Sequence, residues 1–123
     1  MAIPGGFEEY GFYEEAFDQK FLDLIIEFNK RQKPIAAVCV AALALGKSGI
    51  LIDRKATTYH LKKKYRQIQL QEYCCQILDQ SLVIDQNIIT SSCPETAVHV
   101  AFELLNMLIG QEPAQSVKTA MGY

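Results

Sequence analysis

Four cysteines and two histidines are the side chains in this 123-residue sequence best suited to act as nucleophile, base or soft metal ligand. Their spacing is informative. Cys39, Cys74, Cys75 and Cys93 form no CxxC pair, and neither His60 nor His99 falls at a zinc-binding interval from them, so no metal site is expected. Adjacent Cys74 and Cys75 make a poor disulfide framework, and the cysteine usage fits a reducing, cytoplasmic setting. Cys39 stands apart because it lies inside "PIAAVCVAALALGKSG", where an apolar, strand-like run passes into residues rich in Ala and Leu. On residue type alone a cysteine there is a small buried hydrophobe. The other reading is that the strand delivers a thiol to the mouth of a helix, where free N–H groups and the positive dipole end favour thiolate and lower its pKa from ~8.5 toward ~4–7.

The elements that must position this thiol alternate between strand and helix. "MAIPGG" reads as the end of a strand followed by a Gly-Gly turn. Residues 14–31 have helical periodicity, with Phe17, Phe21, Leu24, Ile25 and Phe28 on one face, and Lys33-Pro34 closes the segment. Residues 35–38 form a continuous apolar run of the kind buried on both faces in a parallel sheet. A short helix over 41–47 ends at Ser48-Gly49, "RKATTYH" reads as a further strand, and 65–73 as a helix. "LVIDQNIITS" is a hairpin about Asp85-Gln86-Asn87. The last helix begins near Ser92 and Glu95, which have capping-box spacing, carries Pro94 in its first turn and stops at Gly110; its expected core stripe is Val98, Phe102, Leu105 and Leu108 or Ile109. His99 on this helix is expected to be structural. Residues 1–110 are thus read as the domain, and 111–123, which lack periodicity, as a loosely packed tail.

Composition excludes several function classes. Twelve basic against fourteen acidic residues give a net charge of -2, which offers no footprint for nucleic acid. The one basic run, Lys62 to Lys64 followed by Arg66, reads as a solvated loop or helix start. The longest apolar run is too short to span a bilayer, so no membrane partner is expected. An α/β pattern of this kind gathers ligands where strands end and helices begin. Cys39 and the Gly5-Gly6 turn both lie at such ends.

Three blocks then carry a resemblance: "IPGGFEEYGFYEEAF", "KPIAAVCVAALALGKSGILIDRKATTYH" and "NIITSSCPETAVHVAFELLNMLIG" resemble, in order, the ThiJ/PfpI superfamily, which includes the protein deglycases. The resemblance implies a flavodoxin-like, class I glutamine amidotransferase-like parallel sheet flanked by helices, with Cys39 as the reactive cysteine on a strained elbow. It also implies that the backbone N–H groups of Gly6 and Val40 face an oxyanion. Many relatives place a histidine or small polar residue and then a glycine after the cysteine, where this sequence has Val40 and Ala41. Deglycase relatives have a histidine directly after the Thr-Thr pair, where Tyr59 stands here and His60 follows one residue later. His60 is therefore the candidate base, on a register that would turn it to the opposite face of a strand. Relatives also begin earlier, with a first strand, a first helix and a glutamate that hydrogen-bonds the thiol. Glu8, Glu9, Glu14 and Glu15 do not match that glutamate, and the sequence reads as an N-terminally truncated, C-terminal two-thirds of the domain.

Three functions follow from the resemblance. The first is a cysteine-dependent hydrolase, amidase or deglycase-like enzyme acting on small carbonyl or amide compounds, with Cys39 and His60 as catalytic residues and no cofactor. The second is a redox or stress sensor working through oxidation of Cys39. The third is a non-catalytic fragment that forms oligomers. A homodimer or larger homo-oligomer is expected in each case.

Overall fold

The computed structural model describes residues 1–123. Strands β1 (Ala2–Ile3), β2 (Ile35–Val38), β5 (Leu82–Asp85) and β6 (Ile88–Ser91) form one sheet in the order β1-β2-β6-β5. β1, β2 and β6 run parallel, and β5 joins β6 as an antiparallel hairpin with Asp85 opposite Ile88. A smaller parallel pair, β3 (Lys55–Ala56) and β4 (Gln76–Ile77), lies alongside. The helices are α1 (Phe12–Ala16), α2 (Gln19–Lys30), α3 (Ala42–Lys47), α4 (Tyr65–Gln71), α5 (Ala97–Ile109) and α6 (Gln111–Ala120). None is long and apolar enough to cross a membrane.

The unbroken apolar run at 35–38 becomes the central strand for the reason its composition suggested: it is covered on both faces. Ile35 and Ala37 belong to the main core with Leu22 and Ile25 of α2 and Leu43 and Leu45 of α3. Ala36 faces the other way with Ile89 of β6, onto Val100 of α5. Alanine on both faces lets the flanking helices approach closely. α3 is apolar all round and is buried all round, from Ala42 to Gly46. Each fully buried Ile or Leu here contributes about 1.5–3 kcal/mol through removal from water.

Five expectations change in the structure. The helix over 14–31 is two helices, because Asp18 leaves the helical conformation and caps α2 by accepting from the Lys20 N–H at 3.0 Å; Leu22 replaces Leu24 in the core, and Leu24 is exposed. "RKATTYH" keeps only Lys55 and Ala56 in a ladder, because its threonines bond sideways: the Thr57 N–H donates to Thr90 Oγ1 and the Thr57 hydroxyl to the Gln80 carbonyl. The capping box does not form; the last helix is entered through a single 3-10 turn, Pro94–Thr96, and the buried Ser92 hydroxyl has no partner. The core stripe of α5 is Val100 with Leu104 and Met107, while Val98, Leu108 and Ile109 are exposed and His99 lies on the exposed face. Finally, residues 111–120 are helical: Pro113 sits in the first turn of α6, where its missing N–H costs nothing, and Ala114 is buried. The chain end returns to α5, with Tyr123 edge-on to Phe102 at 5.1 Å.

Candidate active site

The C-terminal ends of β2 and β6 open into a cavity of about 1020 Å³. Cys39 sits at the mouth of α3 with φ 60, a left-handed conformation held by a residue bearing a Cβ. Such a backbone costs about 1–3 kcal/mol and persists only where its surroundings fix it. The fixing contacts are visible. Val38 arrives in extended conformation, residues 39–41 make one 3-10 turn into α3, and the buried Thr58 hydroxyl donates to the Cys39 carbonyl at 2.8 Å. Ala41, standing where many relatives have glycine, has ordinary helical angles, so its Cβ meets no backbone penalty.

The Gly-Gly turn is shaped around the same residue. A Cβ on Gly5 would lie 3.0 Å from the Cys39 Cβ and 3.1 Å from the Val38 carbonyl, and one on Gly6 would overlap the Phe12 ring. Both positions need glycine for close approach. Gly5, Gly6, Cys39 and Val40 all line the cavity.

Electrostatics depart from the expected thiolate. Burial pushes the Cys39 thiol above its ordinary range; the Val40 N–H facing the sulfur pulls it down, Cys93 and Glu95 push it up, and Arg66 lowers it. A helix entered through one 3-10 turn does not offset this desolvation. No carboxylate hydrogen-bonds the sulfur; Glu8, Glu9 and Glu95 are acids on the cavity wall.

His60 is brought to the same cavity as Cys39 but makes no hydrogen bond with it. Its Nδ1 lies 3.8 Å from Cys93 Sγ. Tyr59 and His60 both line the cavity, since the chain has left the ladder at Ala56 and strand alternation no longer governs it. Two wall residues were missed by the sequence reading. Arg66 follows the basic run read as solvated, and Lys62 to Lys64 are exposed. The Arg66 side chain, however, is only 15% exposed: its guanidinium lies 4.9 Å over the Tyr13 ring and 5.0 Å over Tyr65, and donates to Glu8 at 2.7 Å and to Gln69 at 2.9 Å. Tyr13 beneath it has a buried hydroxyl without a partner and is pushed up to about 12, mainly by burial. The spacing of Cys93 from the other cysteines carries no signal of a role. Its link to Cys39 follows from strand order, as Val38 pairs with Ser91 across β2 and β6. Tyr65, directly between Lys64 and Arg66, is the one sequence signal for an Arg66 stack, and it is weak.

Comparison with known proteins gives a consistent result. The sequence model of the DJ-1/PfpI family matches residues 1–107. Protein DJ-1alpha of Drosophila melanogaster is 40% identical over 87 residues, 71% of this chain and 38% of that protein. Isonitrile hydratase of Pseudomonas putida is 26% identical over 123 residues, 100% of this chain and 51% of that enzyme. The crystal structure of Drosophila melanogaster DJ-1beta superposes with a TM-score of 0.83 at 28% identity, covering 98% of this chain and 61% of that one. The chain thus spans less than two thirds of the length of each of these relatives.

Proposed function

Since the chain belongs to the DJ-1/PfpI family, we propose that it performs cysteine-dependent chemistry on small carbonyl or amide compounds at Cys39. The observation that carries this reading is the elbow itself: a cysteine held at φ 60 on the wall of a large cavity, with the Val40 N–H facing its sulfur. In the proposed step the thiolate attacks a carbonyl carbon, and the N–H groups of Gly6 and Val40 receive the developing oxyanion. His60 makes its contact with Cys93 and no hydrogen bond with Cys39. Turnover is therefore slow, since positioned acid–base help is typically worth 10²–10⁴-fold. The name of the isonitrile hydratase relative supports a small-molecule substrate.

The test is acylation by an activated ester, read by peptide mass mapping in a Cys74→Ser background that removes the exposed thiol. Acyl transfer to Cys39, abolished by Cys39→Ala, is the expected result; turnover that survives Cys39→Ala overturns the reading.

We also propose that the chain self-associates. β1 is a two-residue edge strand, and Ile3, Val38, Ala101, Leu105 and Leu108 line an apolar groove of about 330 Å³ beside it. A second copy covering this edge would give a dimer by sedimentation equilibrium at micromolar concentration. A 13.8 kDa species throughout refutes it.

A second reading, redox sensing through Cys39, is favoured by the presence of another cysteine on the same cavity wall.

A further inference from the structure

Cys93 has a setting that none of the chemistry above uses. It is 7% exposed, lines the same cavity as Cys39, and its Sγ lies 3.8 Å from His60 Nδ1. Both cysteines are free thiols. The fold brings them near each other: Val38 and Ser91 are partners in the parallel ladder, Cys39 follows one and Ser92 the other, and Cys93 comes next in still-extended backbone at φ -144 and ψ 164. Neighbouring strands lie ~4.8 Å apart with ~3.3 Å per residue, so the two cysteines lie just past adjacent ladder ends, Cys39 one residue beyond Val38 and Cys93 two beyond Ser91. A disulfide closes where the α-carbons come within ~7 Å. The influence of Cys93 on the Cys39 thiol agrees with this proximity.

We propose that Cys93, with His60 as its base, is the resolving thiol for Cys39, so that oxidation by a hydroperoxide ends in a reversible Cys39–Cys93 disulfide. This rests on Cys39 being a reactive, cavity-facing thiol. In the first step the Cys39 thiolate attacks the peroxide's terminal oxygen; the O–O bond breaks, sulfur gives up two electrons, and the alkoxide leaves with a proton as the alcohol. Cys39 is then a sulfenic acid. In the second step Cys93 sulfur attacks Cys39 sulfur, the S–S bond forms and the S–O bond breaks. His60 Nδ1, in the tautomer protonated at Nε2, takes the Cys93 proton, and the departing hydroxide gains one to leave as water. Closure competes with further oxidation of Cys39 to the sulfinate, which thiols do not reverse.

The experiment uses the full chain with Cys74→Ser, treated with one equivalent of hydrogen peroxide in the presence or absence of dimedone, followed by non-reducing peptide mapping. The expected product is a linked Cys39–Cys93 peptide that is lost on adding dithiothreitol. Cys93→Ser should raise the dimedone-trapped Cys39 fraction by about tenfold and divert excess oxidant to the sulfinate. His60→Asn should slow disulfide closure by about 10²-fold without changing the first oxidation. Dimedone-trapped or sulfinate Cys39 at equal levels with and without Cys93 overturns this inference and leaves the Cys39 nucleophile standing. An unmodified Cys39 beside oxidised Cys93 overturns both.

Discussion

Cys39 and Cys75 are buried almost equally, at 8% and 7% exposure, yet they sit in opposite kinds of surroundings. Cys75 follows α4 and donates its thiol to the Leu70 carbonyl at 3.2 Å, inside the turn that its own helix ends in. Burial pushes it up to about 11. Its sulfur closes a local hydrogen bond and faces no cavity found at the sheet rim. Cys39 is also pushed up by burial, but its backbone is left-handed, its carbonyl is tied to Thr58, and its sulfur faces the Val40 N–H. The comparison teaches that burial does not assign a thiol's role. Backbone geometry and what the sulfur faces do.

The largest effect should appear in alkylation rates. A thiol at about 11 is thiolate in only about one molecule in 10³ at pH 8, so Cys75 should label slowest of all. In the Cys74→Ser background, brief iodoacetamide treatment should label Cys39 at least about tenfold faster than Cys75. Because the Cys39 thiol is raised rather than lowered, its rate should climb about tenfold per pH unit from neutral to pH 9, with no plateau. A plateau below pH 8 would show that the helix end outweighs burial. Equal labelling of both thiols would erase the contrast.

The same contrast explains what could be read from sequence. The strand-to-helix junction at Cys39 was legible from an apolar run meeting an Ala- and Leu-rich segment, while the strained elbow came only from the family resemblance, and the Gly5-Gly6 turn marked where backbone must come close. The hairpin at Gln86-Asn87 was legible from turn residues between apolar runs. Arg66, Cys93 and the true stripe of α5 were not, because each depends on what packs opposite. Arg66 became a wall residue only when Tyr13 and Tyr65 enclosed it. Cys93 approached Cys39 only through the pairing of β2 with β6. α5 is apolar on more than one face, so periodicity could not say which face meets Ala36 and Ile89. The partner of His60 was beyond reach for the same reason: local alternation cannot describe a chain that leaves its ladder after two residues.

The smallest effect is the sharpest test of the elbow, because its sign reverses between the two sites. At φ 60 any residue with a Cβ carries a left-handed penalty of roughly 1–2 kcal/mol, which glycine does not. Cys39→Gly should therefore be more stable than Cys39→Ala by about 1 kcal/mol, even though alanine retains more of the buried side chain. Cys75 has no positive φ, so there glycine should be the less stable of the two by about 0.5–1 kcal/mol, through its greater freedom in the unfolded chain. Urea denaturation midpoints of the four variants, compared in pairs at unchanged slope, read both signs directly. Glycine less stable than alanine at both positions would mean that residue 39 relaxes to an ordinary conformation when its thiol is gone. The strain would then be imposed by the sulfur's own contacts, with the fold around the elbow tolerating either geometry.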